Sequence, residues 1–368
     1  GGGGREQSTL RPKHVERKPP CRDTCPSGNR IREFLTTIAQ AERLEKSTDQ
    51  AFTEAWDIYT DTSPFPSVCG RVCPAPCQTE CNRQDLEGPV QINKVERAIG
   101  DYGLEHDLPL KKLTEEAKAQ KIAVVGGGPS GLSCAYQLAR RGYGVKVFEE
   151  LEKPGGMLLW DIPGYRLPET VLAHEIQKIP DLGVALQCGV KVGRDVSMSQ
   201  LKEEYDAVYV ALGAQQGVTL GVEGEDLPGV MDGASFLRDV NLGKVVKLGE
   251  KVAVLGGGNS AVDSARVALR TGAKNVTMIY RRTRAEMPAA EEEIEDALQE
   301  GIEINFLQNP TKFTKNGDGL DVECIRMQLG EPDASGRRRP EPISGSEFTV
   351  FYDAVIGALG QSPRVPEG

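Results

Sequence analysis

The sequence lacks three features, each of which would place it in a different class of protein. Its longest uncharged stretch, residues 122–139, is broken by three consecutive glycines and a proline, which favour a strand–turn–helix over a membrane span. Its first twenty residues have no apolar core, which argues against a secretory signal. Its 44 basic residues are outnumbered by 54 acidic ones, the reverse of the balance in nucleic-acid-binding proteins. We therefore expect a cytoplasmic protein that binds neither membranes nor nucleic acids.

Residues that commonly act in catalysis are also scarce. The three histidines show no partner pattern and are interpreted as structural or surface residues: His14, His106 and His174. After residue 121 the cysteines are isolated, so the Cys-x2-Cys dithiol of disulfide reductases is missing. No side chain is predicted to be catalytic. The chain also shows no glutaminase nucleophile and no substrate barrel, so a partner subunit is expected to carry the final substrate chemistry.

Six of the nine cysteines lie in the first 81 residues: Cys21, Cys25, Cys69, Cys73, Cys77 and Cys81. Without a secretion signal, clustered cysteines favour metal binding over disulfides. Thiolates at this spacing are suited to an iron–sulfur cluster, which transfers one electron at a time. Zinc and unligated, reduced cysteines are the alternatives.

From residue 121 the sequence has an α/β pattern that occurs twice. Strands at Lys121–Val125 and Lys251–Leu255 are each followed by a glycine turn, a helix and a second strand. Two such units, 130 residues apart, indicate a duplicated dinucleotide-binding module. Two similar strands are predicted at residues 205–214 and 352–360.

The first turn is typical of FAD binding. Gly126 permits a tight turn, Gly128 lets the backbone approach a pyrophosphate, and Gly131 lets helix and strand pack closely. Glu149, at the end of the second strand, is placed to accept a hydrogen bond from a ribose hydroxyl. The same fingerprint extends to the remaining residues expected to bind FAD: Pro129, Ser130, Gly155, Gly156 and Met157. A glycine turn without a ligand is the alternative.

The second turn is predicted to bind a nicotinamide dinucleotide through Gly256, Gly258, Asn259 and Ser260. Where the first unit has its acid, the second has Arg281 and Arg282, and guanidinium groups suit the 2′-phosphate of NADPH. A solvated or structural arginine pair is the alternative, and use of NADH stays open. Flavin and nicotinamide in one chain predict hydride exchange between them.

Six motifs, in order, resemble the glutamate synthase small-subunit family: GRVCPAPCQTEC, GGGPSG with GGML, IPGYRLP, GGGNSAVD, YRRTRAEMPA and ALGQSP. The sequence also resembles the N-terminal half of dihydropyrimidine dehydrogenase and the large subunit of ferredoxin:NADP transhydrogenases. The resemblance implies an α/β fold with two Rossmann-like domains after a helical iron–sulfur domain. It gives residues 1–118 as the helical domain, 119–215 and 352–368 as the FAD domain, and 216–351 as the NAD(P)H domain.

The resemblance further implies one [4Fe–4S] cluster ligated by Cys25, Cys73, Cys77 and Glu96. A second cluster in the family uses the positions of Cys21 and Cys81 and an upstream cysteine pair, but residues 12–18 contain no cysteine, so this cluster is expected to be missing. The family pattern also continues past ALGQSP to a segment that contacts the flavin. We therefore expect either a truncated chain or a flavin site completed in another way.

The sequence thus predicts an electron-transfer subunit that exchanges hydride between NAD(P)H and FAD. Single electrons would pass, in either direction, to the cluster or to a larger catalytic or electron-carrying subunit of a hetero-oligomer. Two alternatives stay open. One is a structural or assembly subunit that has lost redox centres, and the other is a stand-alone NAD(P)H diaphorase.

Overall fold

A computed structural model describes residues 18–363, which fall into two compact units divided between Leu108 and Pro109. The predicted division after residue 118 is therefore too late. The N–H groups of Leu113 and Lys118 donate to carbonyls at the end of a helix in the second unit, and these bonds tie residues 109–118 to that unit. The predictions for His14, for residues 12–17 and for residues 364–368 lie outside the described residues.

The first unit is helical, as predicted. Its helices are α1 (Pro20–Asp23), α2 (Ile31–Ala39), α3 (Thr48–Thr60), α4 (Pro66–Val72), α5 (Pro76–Thr79) and α6 (Ile92–Glu105). α2 ends at Ala39, shortly before a 3-10 turn at Glu42–Leu44, and α6 extends to Glu105. α3 begins at a capping box in which Ser47 and Gln50 satisfy each other's backbone N–H groups.

Two glycines bring α4 and α6 into close contact. A Cβ on Gly70 would overlap the backbone of Arg97, and a Cβ on Gly100 would overlap the backbone of Ser67. The two helices therefore approach at a distance that only glycine permits. This contact holds the cysteine-bearing helix α4 against the helix that carries Glu96.

The first lobe of the second unit contains a parallel sheet of order β3-β2-β1-β4. Its strands are β1 (Lys121–Val125), β2 (Gly144–Phe148), β3 (Ala185–Gln187) and β4 (Ala207–Val210), and its helices are α7 (Pro129–Ala139), α8 (Met157–Trp160), α9 (Glu169–Gln177) and α10 (Met198–Glu204). α7 connects β1 to β2, as the turn predicted. The strand predicted over residues 205–214 is shorter than expected, since β4 ends at Val210. After it, the Ala211 N–H still donates to the carbonyl oxygen of Val125 in β1.

The second lobe contains a five-stranded parallel sheet of order β6-β14-β7-β8-β9. A short pair, β5 (Gln216–Gly217) and β15 (Gln361–Ser362), lies outside it. The sheet strands are β6 (Val230–Asp232), β7 (Lys251–Leu255), β8 (Asn275–Tyr280), β9 (Glu303–Phe306) and β14 (Ala354–Gly357), with helices α11 (Gly233–Asn241), α12 (Asn259–Arg270) and α13 (Glu291–Gln299). The apolar run of β7 is buried, as expected for a strand covered on both faces.

The placement of β14 corrects one predicted boundary. Residues 352–368 were expected in the FAD domain, but β14 pairs with β7 and β6 and therefore belongs to the second lobe. The physical reason is the duplication: β14 continues the second sheet beyond β7 just as β4 continues the first beyond β1. The two similar strands in the sequence serve two different sheets.

An antiparallel hairpin layer, not predicted from the sequence, follows β9. It consists of β10 (Gln308–Asn316), β11 (Gly319–Pro332), β12 (Arg338–Pro342) and β13 (Phe348–Tyr352), and β11 pairs with the other three. Apolar side chains of β11 pack against the second sheet in a buried cluster that includes Leu320 and Val355. Within residues 18–363 no helix has the length and apolar character needed to cross a membrane.

Candidate functional site

The first glycine turn forms a tight cradle between β1 and α7. Gly126 has φ 108°, and a Cβ at this position would overlap the carbonyl oxygen of Ala211. A Cβ on Gly131 would overlap the carbonyl oxygen of Gly126. α7 therefore lies directly against the turn. Pro129 occupies its first position, where an N–H would have no helical partner, and the helix N-terminus beside the turn suits a phosphate.

Gly155 and Gly156 pack onto the same turn. The Gly155 N–H donates to the carbonyl oxygen of Gly127 at 2.8 Å. A Cβ on Gly156, which has φ 54°, would lie 2.8 Å from the Cα of Gly128. Met157 begins α8 immediately afterwards. The structure thus brings together the two glycine motifs predicted to bind FAD.

Glu149 follows β2 and faces the turn. It is 5% exposed, and its Oε2 accepts the Gly127 N–H at 2.6 Å while its Oε1 accepts the Leu151 N–H at 2.9 Å. Burial raises the pKa of the Glu149 carboxyl, and these two backbone hydrogen bonds oppose the rise. A carboxylate has about four lone-pair sites, so Glu149 retains acceptor capacity for a ribose hydroxyl.

The second turn repeats this geometry between β7 and α12. Gly256 has φ 138°, and a Cβ there would overlap the carbonyl oxygen of Ala358. Gly258 precedes α12 as its N-cap residue. The residues after β8 cover the turn: the Ala290 N–H donates to Asn259 Oδ1 at 2.9 Å. Ser260 lies in the first turn of α12, beside the helix N-terminus that suits a pyrophosphate.

Tyr280 occupies the position in the second lobe that Glu149 has in the first lobe. Gly126 and Gly256 donate to Phe148 and Ile279 respectively, which aligns the next residues, Glu149 and Tyr280. The Tyr280 hydroxyl donates to the Glu286 carbonyl at 2.7 Å, and its ring lies beside Gly257. The second lobe therefore offers no carboxylate at this position, where the first lobe has the acid predicted to accept a hydrogen bond from a ribose hydroxyl.

The two arginines after Tyr280 differ in environment. Arg281 is exposed. Arg282 is only 5% exposed, and its Nη2 donates to Asp333 Oδ2 at 2.7 Å while its Nε donates to the Arg338 carbonyl at 2.8 Å. Arg282 thus has the structural contacts that the sequence left open as the alternative, and Arg281 remains the more accessible guanidinium.

The cysteines predicted as cluster ligands come from several elements of the first unit. Cys25 follows α1, Cys73 caps α4, Cys77 lies in α5, and Glu96 lies in α6. Their charges act on one another: burial, Glu96 and the other two thiols raise the pKa of Cys77 to about 12. Burial raises the pKa of Glu96 to about 7. Cys77 and Glu96 are buried, whereas Cys25 and Cys73 are half-buried. Burial raises the pKa of Cys21, and the nearby Cys81 thiol also raises it.

This donor set fits an iron–sulfur cluster in its chemistry. Three thiols and a 4% exposed carboxyl repel one another when ionised, and iron would relieve that repulsion. In the described part of the chain, no three His, Cys, Asp or Glu side chains already have the arrangement that holds a metal ion. The individual ligands therefore stay a prediction.

Two family matches cover nearly the whole chain. Residues 120–364 match the pyridine nucleotide-disulphide oxidoreductase family, and residues 15–108 match domain II of dihydropyrimidine dehydrogenase, a 4Fe-4S cluster domain. The small chain of NADPH glutamate synthase from Escherichia coli is 36% identical, over 94% of this chain and 75% of its own length. This chain belongs to the glutamate synthase small-chain family. Membership confirms the resemblance, the fold class and the cofactor classes predicted: FAD, NAD(P)H and a 4Fe-4S cluster.

Other members of the family are longer. The beta subunit of an NADPH-Fe(3+) oxidoreductase from Geobacter sulfurreducens is 43% identical over 94% of this chain. The beta subunit of an NADP(+)-dependent formate dehydrogenase from Moorella thermoacetica is 41% identical over 93%. The chain spans about half the length of these two relatives, 51% in each case. The solved structure of Mycobacterium tuberculosis FprA with NADPH shares the fold at 20% identity, with a TM-score of 0.62 over 68% of this chain and 73% of FprA.

Several residues at these family sites were not found from the sequence alone. Asp333, which pairs with Arg282, lies far along the chain in a hairpin that the sequence did not predict. Asp161 lies beside the first site, where burial raises the pKa of its carboxyl to about 6. Arg166 lies within the motif IPGYRLP, which was used to recognise the family but was given no role. This motif was the sequence signal that could have drawn attention to Arg166.

Proposed function

We propose that this chain is the electron-transfer portion of an NAD(P)H oxidoreductase, in which hydride passes between NAD(P)H and FAD. The observation that carries the proposal is the pair of equivalent glycine cradles with different residues at one position, Glu149 in the first and Tyr280 in the second. A carboxylate at this position suits the free 2′-hydroxyl of an unmodified ribose. A site that lacks the carboxylate and has an arginine nearby suits a 2′-phosphate. The two cradles therefore serve two different dinucleotides.

The first cradle would hold FAD. The backbone of residues 126–128, with the N-terminus of α7, would face the pyrophosphate, and Glu149 would accept from the ribose. Gly156 would let the start of α8 pack onto the first turn and so lie close to the cofactor, since a side chain at this position would collide with Gly128. Bound flavin supplies the ability to take two electrons as hydride and release them singly. The protein supplies position.

The second cradle would hold the nicotinamide dinucleotide. Gly258, Asn259 and Ser260 place the N-terminus of α12 at the pyrophosphate, and Arg281 would bind the 2′-phosphate. Arg282 would act indirectly, because its guanidinium already bonds Asp333. This assignment favours NADPH over NADH.

The first unit would carry electrons onward through a cluster held by Cys25, Cys73, Cys77 and Glu96. We further propose a cytoplasmic location and a partner of the catalytic or electron-carrying kind. Relatives named as beta subunits or small chains support a hetero-oligomer.

The test is purification of the native complex, with its subunits identified and its flavin and iron counted. A visible flavin spectrum that bleaches on addition of NADPH is the expected result. A colourless complex would instead indicate the structural or assembly subunit, and a fully active single chain would indicate the diaphorase. Either result would overturn the proposal.

A further inference from the structure

A buried ion-pair network joins the two lobes of the second unit. Arg166 lies between α8 and α9 in the first lobe, and its Nη1 donates to Asp263 Oδ2 on α12 at 2.6 Å. Its Nε lies 2.9 Å from Glu293 Oε1 on α13. The Arg166 and Asp263 side chains are 11% and 6% exposed. At this burial a charged hydrogen bond is stronger than at the surface.

The residue before Arg166 adds a second contact to the same helix. The Tyr165 ring lies under two guanidinium groups of α12, 4.8 Å from Arg266 and 4.3 Å from Arg270. Glu300, the residue after α13, accepts hydrogen bonds from both arginines and holds them in place. A cation over the face of an aromatic ring is attracted to it, so both contacts favour this position of the segment.

The middle of the segment formed by residues 157–166 is also attached to the second lobe. The Asn241 amide, at the end of α11, donates to the carbonyls of Trp160 at 2.9 Å and Ile162 at 3.2 Å. The second lobe therefore holds this segment at its middle and at its end. The segment begins at Met157, directly after the glycines of the first cradle. Its last residue, Arg166, bonds Asp263 in the second turn of α12, the helix that opens the second cradle.

We propose that Arg166 is a positioning residue that sets the orientation of the two dinucleotide cradles relative to each other. This inference rests on the proposed function. Its guanidinium is buried, donates a hydrogen bond to Asp263 and is ion-paired with Glu293, so it acts through the backbone between the cradles rather than by binding a nucleotide. Hydride transfer is sensitive to such placement, since a misplacement of about 1 Å can cost roughly 100-fold in rate.

The experiment compares Arg166→Gln with wild type in the native complex. We expect the limiting rate of flavin bleaching by NADPH to fall by roughly 10–100-fold. The affinity for 2′,5′-ADP, measured calorimetrically, and the flavin content should each change by less than about two-fold, because neither cradle is altered. The charge-transfer absorbance formed when the protein with its flavin reduced beforehand is mixed with NADP+ should weaken in parallel with the rate.

Two further variants keep the test decisive. Lys153→Ala is the matched control, because it removes the exposed ion pair with Glu169 that flanks the same segment within the first lobe. It should leave the rate unchanged. Arg166→Lys keeps the charge but cannot bond Asp263 and Glu293 together, so it should give an intermediate rate, including where Arg166→Gln fails to fold.

An unchanged bleaching rate in Arg166→Gln or, where that variant fails to fold, in Arg166→Lys would overturn the positioning role. A loss of 2′,5′-ADP affinity equal to the loss of rate would also overturn it, because it would make Arg166 a binding residue. Failure of the proposed function itself looks different: wild type would then contain no flavin or would not bind 2′,5′-ADP, before any variant is compared.

Discussion

Arg282 and Asp333 form a buried ion pair that attaches the hairpin of β11 and β12 to the end of β8. The Nη2–Oδ2 distance is 2.7 Å, and the arginine side chain is 6% exposed. Arg282 lowers the pKa of Asp333, although Ser335 contributes more through its hydroxyl and its backbone N–H. Two adjacent arginines that look equivalent in the sequence therefore differ in the structure: Arg282 is held by Asp333, and Arg281 stays exposed.

Replacing Arg281 by alanine should weaken binding of the 2′-phosphate selectively. A hydrogen bond to a charged group contributes about 1.5–3 kcal/mol, so 2′,5′-ADP affinity should fall by roughly 10–100-fold while 5′-AMP affinity stays constant. Isothermal calorimetry on both nucleotides checks this. Arg141→Ala removes an exposed arginine of the first lobe as control, and an unchanged nucleotide preference in Arg281→Ala would exclude the 2′-phosphate role.

Replacing Asp333 by alanine should destabilise the second unit. The change leaves the buried Arg282 guanidinium without its carboxylate partner, so the free energy of unfolding should fall, although by less than for a fully buried pair because the Asp333 side chain is 24% exposed. Denaturant unfolding would measure it. Asp318→Ala, in the turn at the opposite end of β11, should have almost no effect. Equal losses in the two variants would contradict a specific role for the pair.

Gly131, the last glycine of the first turn, should not tolerate replacement, whereas its counterpart in the second turn, Ala261, already carries a side chain. A Cβ on Gly131 would overlap the Gly126 carbonyl, so Gly131→Ala should displace α7 and abolish flavin retention. The second turn already accommodates Ala261 at this position, and Ala261→Gly should cost only about 1 kcal/mol. Flavin content and thermal unfolding would check both variants. Full flavin content in Gly131→Ala would refute the packing argument.

Asp161 should make stability depend on pH between about 4 and 6. Burial raises its pKa from 3.8 to about 6, with Arg238 opposing the rise, so the folded protein holds this proton more tightly than the unfolded chain. The favourable contribution is therefore complete below pH 4 and is lost as the pH rises through 6. Asp161→Asn should gain stability relative to wild type over this interval and keep a constant advantage above it. Unfolding free energies measured at each pH would show no such divergence if Asp161 titrates normally.

Cys77 and Cys69 should differ in their effect on iron content. Cys77 is buried among the predicted ligands, whereas Cys69, in the middle of α4, is not one of them. Cys77→Ser should therefore lose most of the iron from the purified complex, and Cys69→Ser should retain it. Iron analysis with the flavin content as internal reference distinguishes them. Equal iron in both proteins would remove Cys77 from the ligand set.

The sequence predicted those parts of the fold that short-range patterns specify. The apolar runs before each glycine turn located β1 and β7, because a parallel strand covered on both faces needs such a run. The domain bounds taken from the family resemblance assigned β14 to the wrong lobe, because two strands of similar sequence can join either sheet. Strand pairing is a long-range property that local composition does not encode.

The candidate site shows the same limit. The glycines of both cradles were identified because their conformations exclude side chains, which restricts the sequence directly. The partner of Arg282 was not identified, because Asp333 lies in a hairpin about fifty residues away. Likewise, nothing local to Arg166 indicates that its carboxylate partner is Asp263. Ion pairs between distant segments depend on the fold, so they could not be predicted before the fold was known.

Tyr280 also bears on how the nucleotide preference could be redesigned. Removing the positive charge at Arg281 would discard a phosphate ligand without creating an acceptor for a ribose hydroxyl. Introducing an acid at residue 280 would break the bond from the tyrosine hydroxyl to the Glu286 carbonyl, and with it the support of the segment that covers the second cradle. A switch towards NADH would therefore require rebuilding residues 283–290 together with the strand end, so preference and loop architecture would have to change together.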